Sequence, residues 1–103
     1  MWAQLISVRI KPGREGDVPQ LLDLLRKSEQ PDSGLVRETL MLDQNDPGQA
    51  HVLAVFESED RARQREGDSR RAEGLAKLQA LMAEMLDGPP TFTHLEVVDE
   101  FAP

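Results

Sequence analysis

Directly after the apolar run 52–56, the sequence places Arg61, Arg63, Arg65, Arg70 and Arg71 within a dozen residues. A spacing of four puts Arg61 and Arg65 on one helical face, with Arg63 pointing elsewhere. Guanidinium groups bind carboxylate or phenolate oxygens through paired hydrogen bonds, so one reading is an anion or phenolate clamp at the mouth of a pocket. The other reading pairs the arginines with acidic residues such as Glu96, Asp99 and Glu100, at about 0–1 kcal/mol for each exposed pair. His51 and His94 are the only imidazoles. Titration near neutrality suits either as a general base, and a strand histidine satisfied by hydrogen bonds is the plainer reading of each. Two histidines without ligand spacing do not make a metal site. There is no glycine-rich phosphate loop and no Gly-x-Ser-x-Gly elbow. The absence of cysteine excludes disulfides, thiolate ligands and thiol nucleophiles. The expectation is a protein with no haem, flavin or metal cofactor.

Charge narrows the partners. Lys and Arg number 12 against 19 Asp and Glu, a formal net charge of −7. Phosphate backbones and anionic lipid repel such a chain, so neither nucleic acid nor a membrane surface is an expected partner. No apolar run approaches the roughly 18 residues that cross a bilayer. The opening "MWAQLISVRIKPG" has no early basic region or cleavage site. Together with the lack of cysteine, this leads to the expectation of a cytoplasmic protein.

The elements that must position these side chains follow from periodicity. In "WAQLISVRI", Trp2, Gln4, Ile6, Val8 and Ile10 share one face of a strand, and Ala3, Leu5, Ser7 and Arg9 share the other. After "KPGREG", the residues Val18, Leu21, Leu22 and Leu25 have helical spacing, with Asp17 and Gln20 resembling a capping box and Pro19 tolerated in the first turn. "GLVRETLML" and "QAHVLAVFE" are β-rich runs around "DQNDPG", where Pro47 and Gly48 are expected to make the turn. Ser58 is placed to cap a second helix, with Glu59 and Asp60 in its first turn. That helix opens polar, breaks near Gly67 in "EGDS", and resumes through Leu75, Leu78, Leu81, Met82, Met85 and Leu86. "TFTHLEVV" supplies a last strand. The order β-α-β-β-α-β predicts an α+β, ferredoxin-like domain over residues 1–103, with two helices on one face of a four-stranded antiparallel sheet. The run 52–56 and the triplet Leu40, Met41, Leu42 are apolar on both faces, and helices can cover only one. A homodimer closing sheet on sheet is the expected answer.

With "VRIKPG" ending the first strand, the "DQNDPG" hairpin, "VFESEDRAR" entering the second helix and "GPPTFTHLEVV" leading into the last strand, the sequence resembles the dimeric α/β-barrel superfamily. The specific likeness is to its antibiotic-biosynthesis-monooxygenase-like group, over nearly the whole chain. The resemblance implies a paired-sheet barrel with a pocket between each sheet and its own helices. Some members of the group oxygenate aromatic polyketide intermediates without metal or prosthetic group, and others degrade haem. The haem degraders use a first-strand asparagine, a tryptophan early in the second helix and an iron-ligating helix histidine. Ile6, Arg65 and Leu75 stand at about those positions here. Leucine cannot ligate iron, so haem degradation is not expected. The chain also lacks the tyrosines that the oxygenases use, and Trp2 is its single tryptophan.

The resemblance and the residues together give one site hypothesis. His94 and Arg65 are the candidate catalytic pair, base and phenolate stabiliser, and Trp2, Gln4, Ile6 and Arg61 are candidate substrate contacts. The reaction would be cofactor-independent oxygenation of a small aromatic or quinol-type substrate. The alternative is a non-catalytic dimeric module that binds a small molecule or a partner.

Overall fold

A computed structural model describes residues Met1–Pro103. Strands β1 (Trp2–Arg9), β2 (Leu35–Asp43), β3 (Asp46–Phe56) and β4 (Thr91–Glu96) form one antiparallel sheet in the order β2-β3-β1-β4. Helix α1 (Val18–Ser28) joins β1 to β2, and α2 (Glu59–Glu66) and α3 (Ala72–Met85) join β3 to β4. This is the ferredoxin-like arrangement expected from the element order. No helix is long and apolar enough to cross a membrane.

The pleat sorts the side chains. Trp2, Gln4, Ile6 and Val8 of β1 lie in register with Phe56, Ala54, Val52 and Ala50 of β3, and this set faces the helices. The main core is Val8, Ile10, Leu21, Ala50, Leu78, Leu81, Met85 and Leu86. A second, smaller cluster of Ala54, Phe56 and Ala62 lies under α2. The helices α1 and α3 approach closely where Gly74 meets Ser28; a Cβ on Gly74 would stand 2.7 Å from that of Ser28. After α3 the chain is latched to the exit of β1, with Lys11 N donating to Met85 O and Asp87 N to Arg9 O.

Two local expectations change. The hairpin turns at Gln44 and Asn45, not at Pro47 and Gly48. Asp43 pairs directly with Asp46, and the Asp43 carboxylate accepts from Asn45 N at 2.8 Å. Pro47 already lies in β3, before the ladder with β1 begins at Gln49, so no cross-strand amide is lost there. Gly48 serves close approach: an added Cβ would lie 3.2 Å from the Arg9 guanidinium carbon. Asp17 does not cap α1 with its side chain. A 3-10 turn over Glu15–Asp17 precedes the helix, and the Asp17 carboxylate accepts instead from Arg14 Nε at 2.6 Å.

The second helical region follows the sequence closely. Ser58 Oγ accepts from Arg61 N at 3.1 Å, Gly67 ends α2, and a 3-10 turn over Ser69–Arg71 leads into α3. Ser58→Ala is expected to lower stability by about 0.5–2 kcal/mol. Urea unfolding should show a lower midpoint at unchanged slope.

The opposite sheet face carries Leu5, Ser7, His51, Leu53, Val55, Met41 and Leu95. No helix covers it. The C-terminal segment lies along one end, beside Ala3, Leu53, Val55 and Leu95, and Glu100 pairs there with Arg37. His51 belongs to this face, with its Nδ1 2.9 Å from Ser7 Oγ.

Candidate functional site

Across the helix-facing side of the sheet, Glu38, Ala54, Gln4 and His94 stand in one row, one from each strand. The flanking rows are more apolar: Leu40, Val52, Ile6 and Phe92 on one side, and Leu35, Phe56, Trp2 and Glu96 on the other. Ala54 is the smallest side chain in these rows, and α2 closes over it through Ala62.

On the β2 side a cleft of about 450 Å³ opens between α1 and the sheet. Leu22, Leu25, Leu35, Leu40 and Val52 form its walls, and Glu29 and Glu38 are its carboxylates. Small-molecule sites have this character, with mostly apolar walls, a few converging polar groups and a volume of about 300–1,000 Å³.

Arg65 holds Glu29 at one end of the cleft. Its Nε and a terminal nitrogen donate to Glu29, the shorter contact being 2.6 Å, and its guanidinium lies 5.4 Å from the centre of the Phe56 ring. Both partners are largely shielded, with side chains 13% and 25% exposed, so this ion pair is worth more than the surface pairs around it. Burial pushes the Glu29 carboxyl up, but hydrogen bonds from Arg65 and Ser33 and the charges of Arg65 and Arg71 bring it below its ordinary value. Its stabilising contribution is therefore present above the ordinary glutamate range and is lost as pH falls through the depressed value.

Arg71 is the buried cation of the region, 7% exposed. One terminal nitrogen donates to Arg65 O at 3.1 Å, and its Nε has no hydrogen-bond partner. Burial and the charge of Arg65 push its guanidinium down, while Glu29, Glu38 and Asp68 raise it. Glu38 is solvent-exposed, yet the groups crowding its carboxyl partly desolvate and raise it; Arg65 pulls it back, Glu29 pushes it further, and Arg71 pulls it back.

The residues expected from sequence do not gather in one place. Trp2, Gln4 and His94 come together: the Trp2 and His94 rings are 5.1 Å apart, Gln4 Nε2 lies 3.3 Å from His94 Nε2, and Arg63 covers the Trp2 ring at 5.4 Å. Arg65 reaches the other side of Phe56, which itself sits 5.9 Å from Trp2. Ile6 packs against the main core. Arg61 is turned outward and donates to the Asp32 carbonyl at 2.7 Å and to its carboxylate at 3.0 Å. The arginines do not pair with Glu96, Asp99 and Glu100 as expected. Arg61 takes Asp32, Arg63 takes Glu59 and Glu66, Arg65 takes Glu29, and Arg70 takes Asp68. The reason is topological: α2 lies against the α1–β2 connection, while Glu100 has crossed to the open face to meet Arg37. Glu38 and Glu29 were not anticipated, and Arg71 was singled out only as one of the clustered arginines.

The same architecture occurs in solved proteins. A Nitrosomonas europaea protein provisionally described as an antibiotic biosynthesis monooxygenase aligns at TM-score 0.77 and 10% identity, over 96% of this chain and 100% of its own. A structure described as an antibiotic biosynthesis monooxygenase aligns at TM-score 0.71 and 18% identity, over 96% and 100%. A Nitrosomonas europaea protein of unknown function aligns at TM-score 0.74 and 22% identity, over 99% and 93%. At the level of sequence no family model matches the chain, and no curated protein matches it. The chain thus has the fold of the antibiotic-biosynthesis-monooxygenase-like structures, and the identities carry the likeness no further than fold.

Proposed function

We propose that the cleft between α1 and the sheet binds a small hydroxylated aromatic or quinol-type molecule and that the protein oxygenates it without a cofactor. The observation that carries this reading is the cleft itself: five apolar walls, two carboxylates and an Arg65–Glu29 pair at its end. The descriptions of the structural neighbours as monooxygenases support the reaction class. In the balanced reaction, dioxygen is the oxidant. A ring methylene of an anthrone gives up four electrons and two hydrogens and becomes a carbonyl, one oxygen atom enters the ring and the other leaves as water. An electron-rich substrate anion starts this chemistry, so the site must favour deprotonation.

His94 sits at the far edge of the polar row, three strand spacings or about 14 Å from Glu38. One small ring in the cleft does not span both, so the reading centres on the cleft, with Arg65 as the group that fixes Glu29. Oxygen uptake with anthrone and with a naphthoquinol tests it. Wild type is expected to consume about one O₂ per anthrone, as the balance above requires. Arg65→Ala should lose most of the rate, through Glu29, and His94→Ala should retain it. Binding of both compounds without any oxygen uptake would favour a non-catalytic binding module. No binding at all would remove the cleft as the site.

The open sheet face leads to a companion proposal, that two copies pack face to face. The chain exposes 6670 Å², where a compact protein of 11.5 kDa exposes about 5,800 Å². Its radius of gyration, 14.1 Å, likewise exceeds the roughly 13 Å of a compact chain this long.

A further inference from the structure

We propose that Arg26, at the mouth of the cleft, takes a carboxylate of the ligand, so that the hydroxylated aromatic molecule bound there is also a carboxylic acid. The inference rests on the cleft being the ligand site, as proposed above, and not on oxygenation.

The helix side of the cleft is one face of α1. Leu22, Leu25, Arg26 and Glu29 follow one another at helical spacing, and all four line it. Arg26 is the one cation among the lining residues, and it is open to solvent. Its guanidinium is also the only one in the protein with neither a hydrogen bond nor an ion pair. The others are held by carboxylates or, for Arg71, by a backbone carbonyl. Two acids stand at the helical spacing that would let them pair with Arg26, and both are engaged elsewhere. Asp23, three residues before it, pairs with Lys27 at 2.8 Å, and Glu29, three residues after it, pairs with Arg65 at 2.6 Å. Glu38, on the β2 rim of the cleft, makes no ion pair with it either. The fold thus withdraws every local partner from the cation that faces the ligand space.

A guanidinium fork holds a carboxylate by two parallel hydrogen bonds. The five apolar walls accept a flat ring, which leaves a charged substituent on the open side, where Arg26 stands. The remaining charges permit one negative group. Glu29 is offset by Arg65, and Glu38 is exposed, where water and salt screen it. A phosphate, with about 1.5 to 2 negative charges at neutral pH, would exceed the single free cation. The chain as a whole carries −7, so an anion approaching it is repelled except where a local cation receives it. A carboxylate on the ring meets all of these conditions.

The probes are a hydroxynaphthoate and the naphthol that differs from it only by lacking the carboxylate, titrated calorimetrically at neutral pH and low salt. Wild type is expected to bind the acid about tenfold more tightly than the naphthol. In Arg26→Gln the affinity for the acid should fall about tenfold further than that for the naphthol, which erases the preference. Arg26→Lys should keep part of it, since the charge remains and the fork is lost. Added salt should shrink the preference in wild type, because the cation is exposed. Arg26 also lies in the last turn of α1, where a cation suits the helix dipole. That role alone would change stability and leave the ratio of the two affinities untouched, since any loosening of α1 acts on both probes. A wild type that does not favour the acid, or a preference that survives in Arg26→Gln, overturns the proposal. If neither probe binds, the cleft fails as the ligand site and this inference falls with it. If the preference depends on Arg26 and neither anthrone nor the naphthoquinol consumes oxygen, Arg26 stands and the oxygenase reading fails. If oxygen is consumed and wild type does not favour the acid, the oxygenase reading stands and the role of Arg26 does not.

Discussion

Leu53→Asp is expected to abolish the proposed homodimer, giving aggregated or unfolded material in place of a soluble dimer. Leu53 lies in the middle of β3, in register with Leu5 and Thr39, on the face that no helix covers. Its neighbours there include the buried Val55 and Ala3 and the exposed Met41 and Leu95. A sheet-on-sheet interface should bury well above roughly 1,200 Å² in total. In a two-fold arrangement each substitution enters the interface twice, and an unpaired carboxylate in an apolar contact costs several kcal/mol per copy. Light scattering at micromolar concentration provides the check: dimer mass for wild type, and aggregate or loss of soluble protein for Leu53→Asp. A wild-type monomer would count decisively against the proposal. A stable, soluble Leu53→Asp monomer would show that the face can live in water. Val52→Asp probes the other side of the same strand, since Val52 is buried toward the helices, and it should unfold the chain whatever its oligomeric state.

The fold was legible because strand parity and helical spacing were clean. Even-numbered residues of β1 and β3 had to share a face, and the helix break at Gly67 followed from poor helix formers in "EGDS". The turn of the hairpin was misplaced because Pro47 and Gly48 are stronger turn formers than Gln44 and Asn45. The extra β3 residues between Asp46 and Ala50, absorbed by a register shift, leave room for them in the strand. The site was less legible. Trp2, Gln4 and His94 could be grouped by parity, and they do meet. The arginine partners depended on which loop α2 would rest against, a tertiary matter that helical spacing does not encode. Glu38 did carry a signal: it shares parity with Leu40 and so stands on the helix-facing side of β2, at the exposed rim of the cleft. Arg71 carried none, because its burial comes from the 3-10 turn that swings it under the start of α3.

Met85→Ala should produce the largest loss of stability from a single truncation within the protomer, about 2–5 kcal/mol. Met85 is fully buried, and around it Leu21 of α1, Val8 at the end of β1, Ala50 of β3 and Leu81 of α3 form one cluster. Its backbone carbonyl also accepts Lys11 N at 2.8 Å, so the residue joins the last turn of α3 to the chain leaving β1. Relaxation into the vacated space is hindered, because Gly74 already holds α3 hard against Ser28 of α1. For a chain of this length the expected loss is a large fraction of a total near 5–15 kcal/mol. Met85→Leu, which nearly conserves volume, should cost less than about 1.5 kcal/mol. Urea unfolding of the three proteins at one concentration decides the matter, with a shifted midpoint at constant slope as the expected pattern. A Met85→Ala loss below about 1 kcal/mol would mean that the core can collapse, in spite of the Gly74 contact. The cleft should report the same event more weakly. Leu25 and Leu40 pack against this cluster and also wall the cleft, so loosening the core reaches the ligand site through apolar packing, while the Arg65–Glu29 pair at its end is held from α2 and the end of α1. Weaker binding of anthrone and of the naphthoquinol is therefore the expected signature of Met85→Ala at the cleft.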